Sequence, residues 1–216
     1  MENYQANNPS TSPLTNEVKT FYQRDLQHLF LAFFRDPVNG LHGIFGNPPA
    51  KAFLHAMIIF GSVFVLYLGG SYLLVGDMRD YMSFSSFLSI GLSPVLIMLA
   101  IAGLSFVIKI VGGKADFKNE LLTGALCGLP LGLIMAVALV LRVFGGGINP
   151  LTMFSSPLGG GWLMTVAFLY FFLMMVNVFQ QSLRAAGYRE ALAWYLSPVS
   201  ILAAMYLGMS VVGNLF

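Results

Sequence analysis

Five long apolar runs, separated by short polar or glycine-rich breaks, dominate the chain: residues 52–75, 84–111, 121–143, 162–179 and 191–216. A helix of roughly 17–25 mostly apolar residues crosses a bilayer, and all five runs are long enough. The breaks fall at Gly76-Asp77-Met78-Arg79-Asp80, at residues 112–120, in the glycine-rich stretch from Gly145 through Pro157 to Gly161, and at residues 180–190. The pattern predicts an all-α fold, an integral membrane bundle of five transmembrane helices filling residues 50–216. Pro94, Pro130 and Pro198 fall inside spans, where neighbouring helices can satisfy the carbonyls that a proline frees.

Before the first run the pattern changes twice. Residues 1–20 are rich in Asn, Ser, Thr, Gln and Pro with no apolar period, which predicts a disordered polar tail. From residue 21 onward Tyr22, Leu26, Leu29, Phe30 and Phe33 recur at helical spacing, with Arg24, Gln27, His28 and Arg35 mostly off that face, the signature of an amphipathic helix. Two readings fit that apolar face: it lies in the membrane interface, or it packs on the protein's own spans. Asp36-Pro37 marks a helix boundary. Val38, Leu41, Ile44 and Phe45 then form a second short interfacial helix that ends before Pro48-Pro49, so residues 21–49 make one cytosolic interfacial segment.

Composition changes the picture little. Of 216 residues 57% are hydrophobic and 9% charged, against about 25% charged in a soluble domain. A formal net charge of +2 gives no basis for nucleic-acid binding. The first residues lack the basic start and short apolar core of a cleaved signal, so the first span is expected to act as the insertion signal. The single cysteine, Cys127, excludes an intrachain disulfide and fits a small apolar filler.

Charge distribution sets an orientation. Lys19, Arg24, Arg35, Lys51, Lys109, Lys114, Lys118, Arg184 and Arg189 fall on the side of the N-terminus, and only Arg79 and Arg142 fall opposite. The positive-inside rule then places the N-terminus in the cytoplasm and the C-terminus outside or in a lumen; the short polar tail, for its part, favours a bacterial plasma membrane as host.

Candidate chemistry is sparse. No Asp or Glu falls inside the five runs as bounded, which removes the carboxylate relay of a coupled transporter. Lys109 and Arg142 lie within a turn of span ends and are expected to snorkel to the interface. Asn177 serves either as interhelical glue or as the lining of a polar pocket. His55, with His28 and His42, offers a pH-sensitive group, but the spacing is too wide for a recognisable metal motif. Gly124, Gly128 and Gly132, each four residues from the next, form one smooth helix face and the expected tightest seam. No phosphate loop, nucleophile elbow or metalloprotease pair is present, so neither an enzyme nor a cofactor is expected.

Three stretches resemble the Yip1 domain family, in its short bacterial-type form: Phe33-Phe34-Arg35-Asp36-Pro37 with Pro48-Pro49; Gly112-Gly113-Lys114 with Phe117, Leu121 and Pro130; and Leu183 to Ala193 leading into a proline-containing last span. The resemblance implies five spans with a cytosolic N-terminus. Eukaryotic members act in vesicle traffic and bind small GTPases and membrane proteins through an acidic, tyrosine-containing tail motif, which this chain lacks. The expectation is a non-enzymatic membrane protein that engages lipids, other membrane proteins or a second copy of itself. The contacting residues are Arg24, Phe30, Phe33, Arg35, Lys114, Lys118, Arg184 and Arg189. The alternative is a small-solute channel or transporter with a polar path near Asn177 and the span prolines.

Overall fold

The structure, a computed structural model, describes residues 13–113, 115–144 and 160–215. Among the described residues every regular element is helical: α1 (Pro13–Thr20), a π-helical turn (Phe21–Asp25), α2 (Leu26–Arg35), α3 (Asn39–Gly46), α4 (Ala52–Val75), a 3-10 turn (Gly76–Tyr81), α5 (Phe84–Val111), α6 (Phe117–Phe144), α7 (Gly160–Ala185) and α8 (Glu190–Leu215). Five of these helices, α4 to α8, are long and apolar enough to cross a membrane. The polar tail expected over residues 1–20 is helical from Pro13 onward; its first 12 residues, Lys114 and the stretch holding Gly145 to Gly147 and Pro157 lie outside the described residues.

Helices α5 and α6 form the central pair, with α4 packed on both, α7 against α6 and α8, and α8 closing on α5. In the most apolar window of α6 half the residues are buried, against 28% in those of α4 and α8, which marks α6 as central. The α7 window is equally buried because α3 lies along that helix. Lipid tails are as apolar as leucine side chains, so close packing at small residues rather than the hydrophobic effect holds such helices together. The glycine seam shows this. A methyl group added at Gly124 would run into the backbone carbonyl oxygen of Met98, and one at Gly128 into the Met98 side chain. At Gly132 the nearest atoms are on Leu66 and Val63 of α4, at 3.6 and 3.8 Å. Thus two of the three glycines seat α5, while the third faces α4 with room to spare.

Helix α6 begins earlier than the apolar run suggests. Asp116 caps it, its Oδ1 accepting from the Lys118 N–H at 3.1 Å and its Oδ2 from the Asn119 amide at 3.0 Å, which satisfies an otherwise orphaned donor at the helix start. Glu120 therefore belongs to the helix and not to the connector. Together with Glu190 in the first turn of α8, it corrects the expectation that the spans carry no carboxylate.

The N-terminal segment runs as one bent rod through the π-helical turn, since both flanking residues, Thr20 and Leu26, keep helical dihedrals. Phe21, Leu29 and Phe33 point into the protein at 1%, 7% and 4% exposure, so of the two sequence readings packing on the protein's own helices holds for these three. Asp36 then turns the chain, its Oδ1 accepting from the Asn39 N–H at 3.0 Å to start α3. Gly40 lies against Ala32, where an added methyl would come within 3.2 Å of the α2 backbone. That close approach folds α3 back beside α2.

Candidate functional site

The Lys109–Glu120, Lys109–Ser182 and Arg184–Glu190 contacts bring the ends of α5 and α7 to the starts of α6 and α8, and the tight turn over Gly76–Tyr81 sets α5 antiparallel to α4, so that α4 starts at the same end of the bundle. The α1–α3 segment lies beside that end. Lys51 at the mouth of α4 is paired with Glu17 of α1 at 2.6 Å, and His55 Nε2 lies 3.3 Å from Asp25 Oδ2. The Phe21 ring sits 5.0 Å from the His55 ring. The Tyr22 hydroxyl and Ser62 Oγ hydrogen-bond about two turns deeper along α4.

Of the residues singled out for surface contact, Arg24, Arg35, Lys118 and Arg189 are exposed. Arg184 is half-buried and lies 3.8 Å from Glu190. Phe30 is half-buried with its ring stacked 6.0 Å from that of Phe34, and Phe33 is buried. The apolar surface left on α2 belongs instead to Leu31 and Phe34, 54% and 52% exposed. Lys114 is not among the described residues.

Beneath this end lies a polar cluster that the apolar pattern hid. Lys109 of α5 does not snorkel. Its Nζ donates to both carboxylate oxygens of Glu120 at 2.8 Å and to Ser182 Oγ of α7 at 2.7 Å. Ser105, one turn below Lys109, donates to Glu120 Oε2 at 2.5 Å. Thr123 bonds the same oxygen at 3.3 Å and Ser182 at 2.8 Å. Three helices are thereby tied by two opposite charges whose partners satisfy each other, the condition for holding charge out of water. Ser105 and Lys109 stand four residues apart on α5, Glu120 and Thr123 three apart on α6. These spacings put each pair on one helix face, a signal the sequence did carry. A cavity of about 180 Å³ touching Lys109, Glu120 and Ser182 is bordered by Asp116 and Asn119.

Arg142 reaches the opposite end of the bundle, where α4 ends. Its guanidinium donates to the Leu74 carbonyl, one of the unpaired carbonyls at the end of α4, and covers Gly76, whose φ of 58° suits glycine. Asn177 donates to the Pro37 carbonyl at 2.7 Å and accepts from Gln181 at 3.2 Å. It acts as glue between α7 and the α2–α3 corner. No protein-family model, curated protein or solved structure matches this chain.

Proposed function

We propose that the chain is a non-enzymatic membrane protein of Yip1 type, with its N-terminus in the cytoplasm of a bacterial cell, whose basic end engages anionic lipid headgroups and partner membrane proteins. The observation that carries this reading is that Arg24, Arg35, Lys118 and Arg189 are all exposed, and that α2, which carries Arg35, also exposes Leu31 and Phe34. Each basic side chain near an anionic membrane surface contributes about 1 kcal/mol of attraction, and apolar side chains beside them add burial at the headgroup boundary.

The competing reading as a solute carrier draws on the cavity beside Lys109 and Glu120. Against it, no buried side-chain nitrogen or oxygen among the described residues lacks a hydrogen-bond partner, so the cluster presents nothing unpaired to a passing solute. A photoreactive residue at position 34, activated in native membranes, tests the proposal. Lipid or protein adducts are expected, and changing Arg24, Arg35, Lys118 and Arg189 together to Gln should cut their yield more than about ten-fold. Unchanged yield removes the basic-end reading, and solute flux in reconstituted vesicles would replace it with the carrier.

A further inference from the structure

Two cavities stack along the first half of α4, where the α1–α2 rod leans on the bundle. The upper, about 400 Å³, is lined by Asp25, His28, Asn39, Asn47 and His55 among others. It lies level with the mouth of α4, since Asn47 and Pro49 precede that helix and His55 is one turn inside it. The lower, about 250 Å³, lies between Phe21, Leu26 and Phe30 of the rod and Ile59, Val63 and Leu133 of α4 and α6. Phe21 joins the two: its ring lines the lower cavity and touches His55, which lines the upper.

Depth fixes what can fill the lower cavity. From His55 to Leu66 is eleven residues, or about 16 Å along a helix axis, which carries the cavity well into a hydrocarbon core about 30 Å thick. Its walls are apolar, the Tyr22 and Ser62 hydroxyls being spent on each other. At that depth the only abundant mobile material is acyl chain. A methylene group occupies about the volume of a water molecule, roughly 30 Å³, so about eight of them fit.

The upper cavity selects the headgroup. It gathers a carboxylate, two imidazoles and two asparagines around one space. A purely anionic headgroup would face the Asp25 carboxylate, and a quaternary ammonium has no N–H to give it. A primary ammonium linked to a phosphate supplies a donor for Asp25 and acceptors for imidazole and amide N–H groups.

We propose that this pair of cavities is a lipid site that seats one phosphoethanolamine lipid, its headgroup in the upper chamber and a stretch of about eight methylenes of one acyl chain in the lower, under the N-terminal rod. The site rests on the five spans and not on the basic end, so either proposal can fail without the other. The full chain, purified in mild detergent and offered phosphatidylethanolamine, phosphatidylglycerol and phosphatidylcholine of equal chain length, is read by native mass spectrometry. One phosphatidylethanolamine should be retained at least about ten-fold over the others, and Leu133→Trp, which fills the lower chamber, should abolish that retention. Equal retention of the three lipids, or retention unchanged in Leu133→Trp, overturns the proposal. Should Leu133→Trp lose its monodisperse peak, Phe30→Trp serves as a reporter that leaves the cavity walls aromatic. With Trp162 and Trp194, both exposed on the spans, changed to Phe, its fluorescence should be quenched several-fold more by brominated phosphatidylethanolamine than by brominated phosphatidylcholine, and equal quenching overturns the assignment.

Discussion

Lys109 and Glu120 hold each other at 2.8 Å across the turn that joins α5 to α6, with 6% and 3% of their side chains exposed. A buried pair of this kind is worth little against a well-packed apolar substitute, but removing one partner strands the other charge at a cost of about 3–5 kcal/mol. Lys109→Met and Glu120→Leu should each lower the unfolding midpoint in detergent sharply, while the double variant recovers most of the loss. Additive losses in the double variant would show that the two side chains act separately.

The glycine seam divides into unequal parts. Gly124→Ala drives a methyl against the Met98 backbone, which has nowhere to go, so overpacking of about 1–3 kcal/mol is expected. Gly128→Ala meets only the flexible end of Met98 and should cost less. Gly132→Ala meets ordinary contact distances, and Gly61→Ala meets nothing within 4 Å; both should stay within about 0.5 kcal/mol of the native chain. Thermal unfolding of the four variants in one detergent would establish the order, and an equal loss at Gly132 would refute it.

How far the sequence could be read follows from what each signal measures. The five spans were legible because window hydropathy responds to composition, and composition is what a bilayer demands of a helix. The glycine spacing located a close seam but not its partners, since one face of α6 passes from α5 to α4 along its length. The Lys109–Glu120 pair was missed for a local reason: bounding the third span by its apolar run put Glu120 in the connector. Asp116 as a cap would have started the helix at Phe117 and turned the carboxylate inward. The inward face of Phe33 was not legible either, because helical spacing gives an apolar face without saying whether lipid or protein covers it.

Orientation can be measured with the chain's own cysteine out of the way. Cys127 is fully buried beside the Met175 carbonyl, so it should react with a maleimide only after unfolding. Tyr81 is 88% exposed and Lys118 is exposed, at opposite ends of α5 and its turn into α6. In intact cells an impermeant maleimide should label Tyr81→Cys and not Lys118→Cys, with the latter labelled once the membrane is opened. The reverse pattern would overturn the cytoplasmic assignment of the basic end.

Asn177 offers a test of how the α2–α3 corner is fastened. Its amide donates to the Pro37 carbonyl at 2.7 Å, and the corner itself rests on short local bonds, Asn39 N–H to Asp36 Oδ1 at 3.0 Å and Gly40 N–H to Asp36 O at 2.9 Å. A neutral hydrogen bond contributes about 1 kcal/mol, enough to shift a local opening equilibrium roughly five-fold. Asn177→Leu should therefore raise amide exchange at residues 39–42 by about that factor while leaving the α4 to α8 core protected. Ser197→Ala, which removes a bond made within α8 alone, should leave residues 39–42 unchanged. Equal exchange in both variants would show that packing of Leu41 against α7, and not the amide of Asn177, keeps the corner closed.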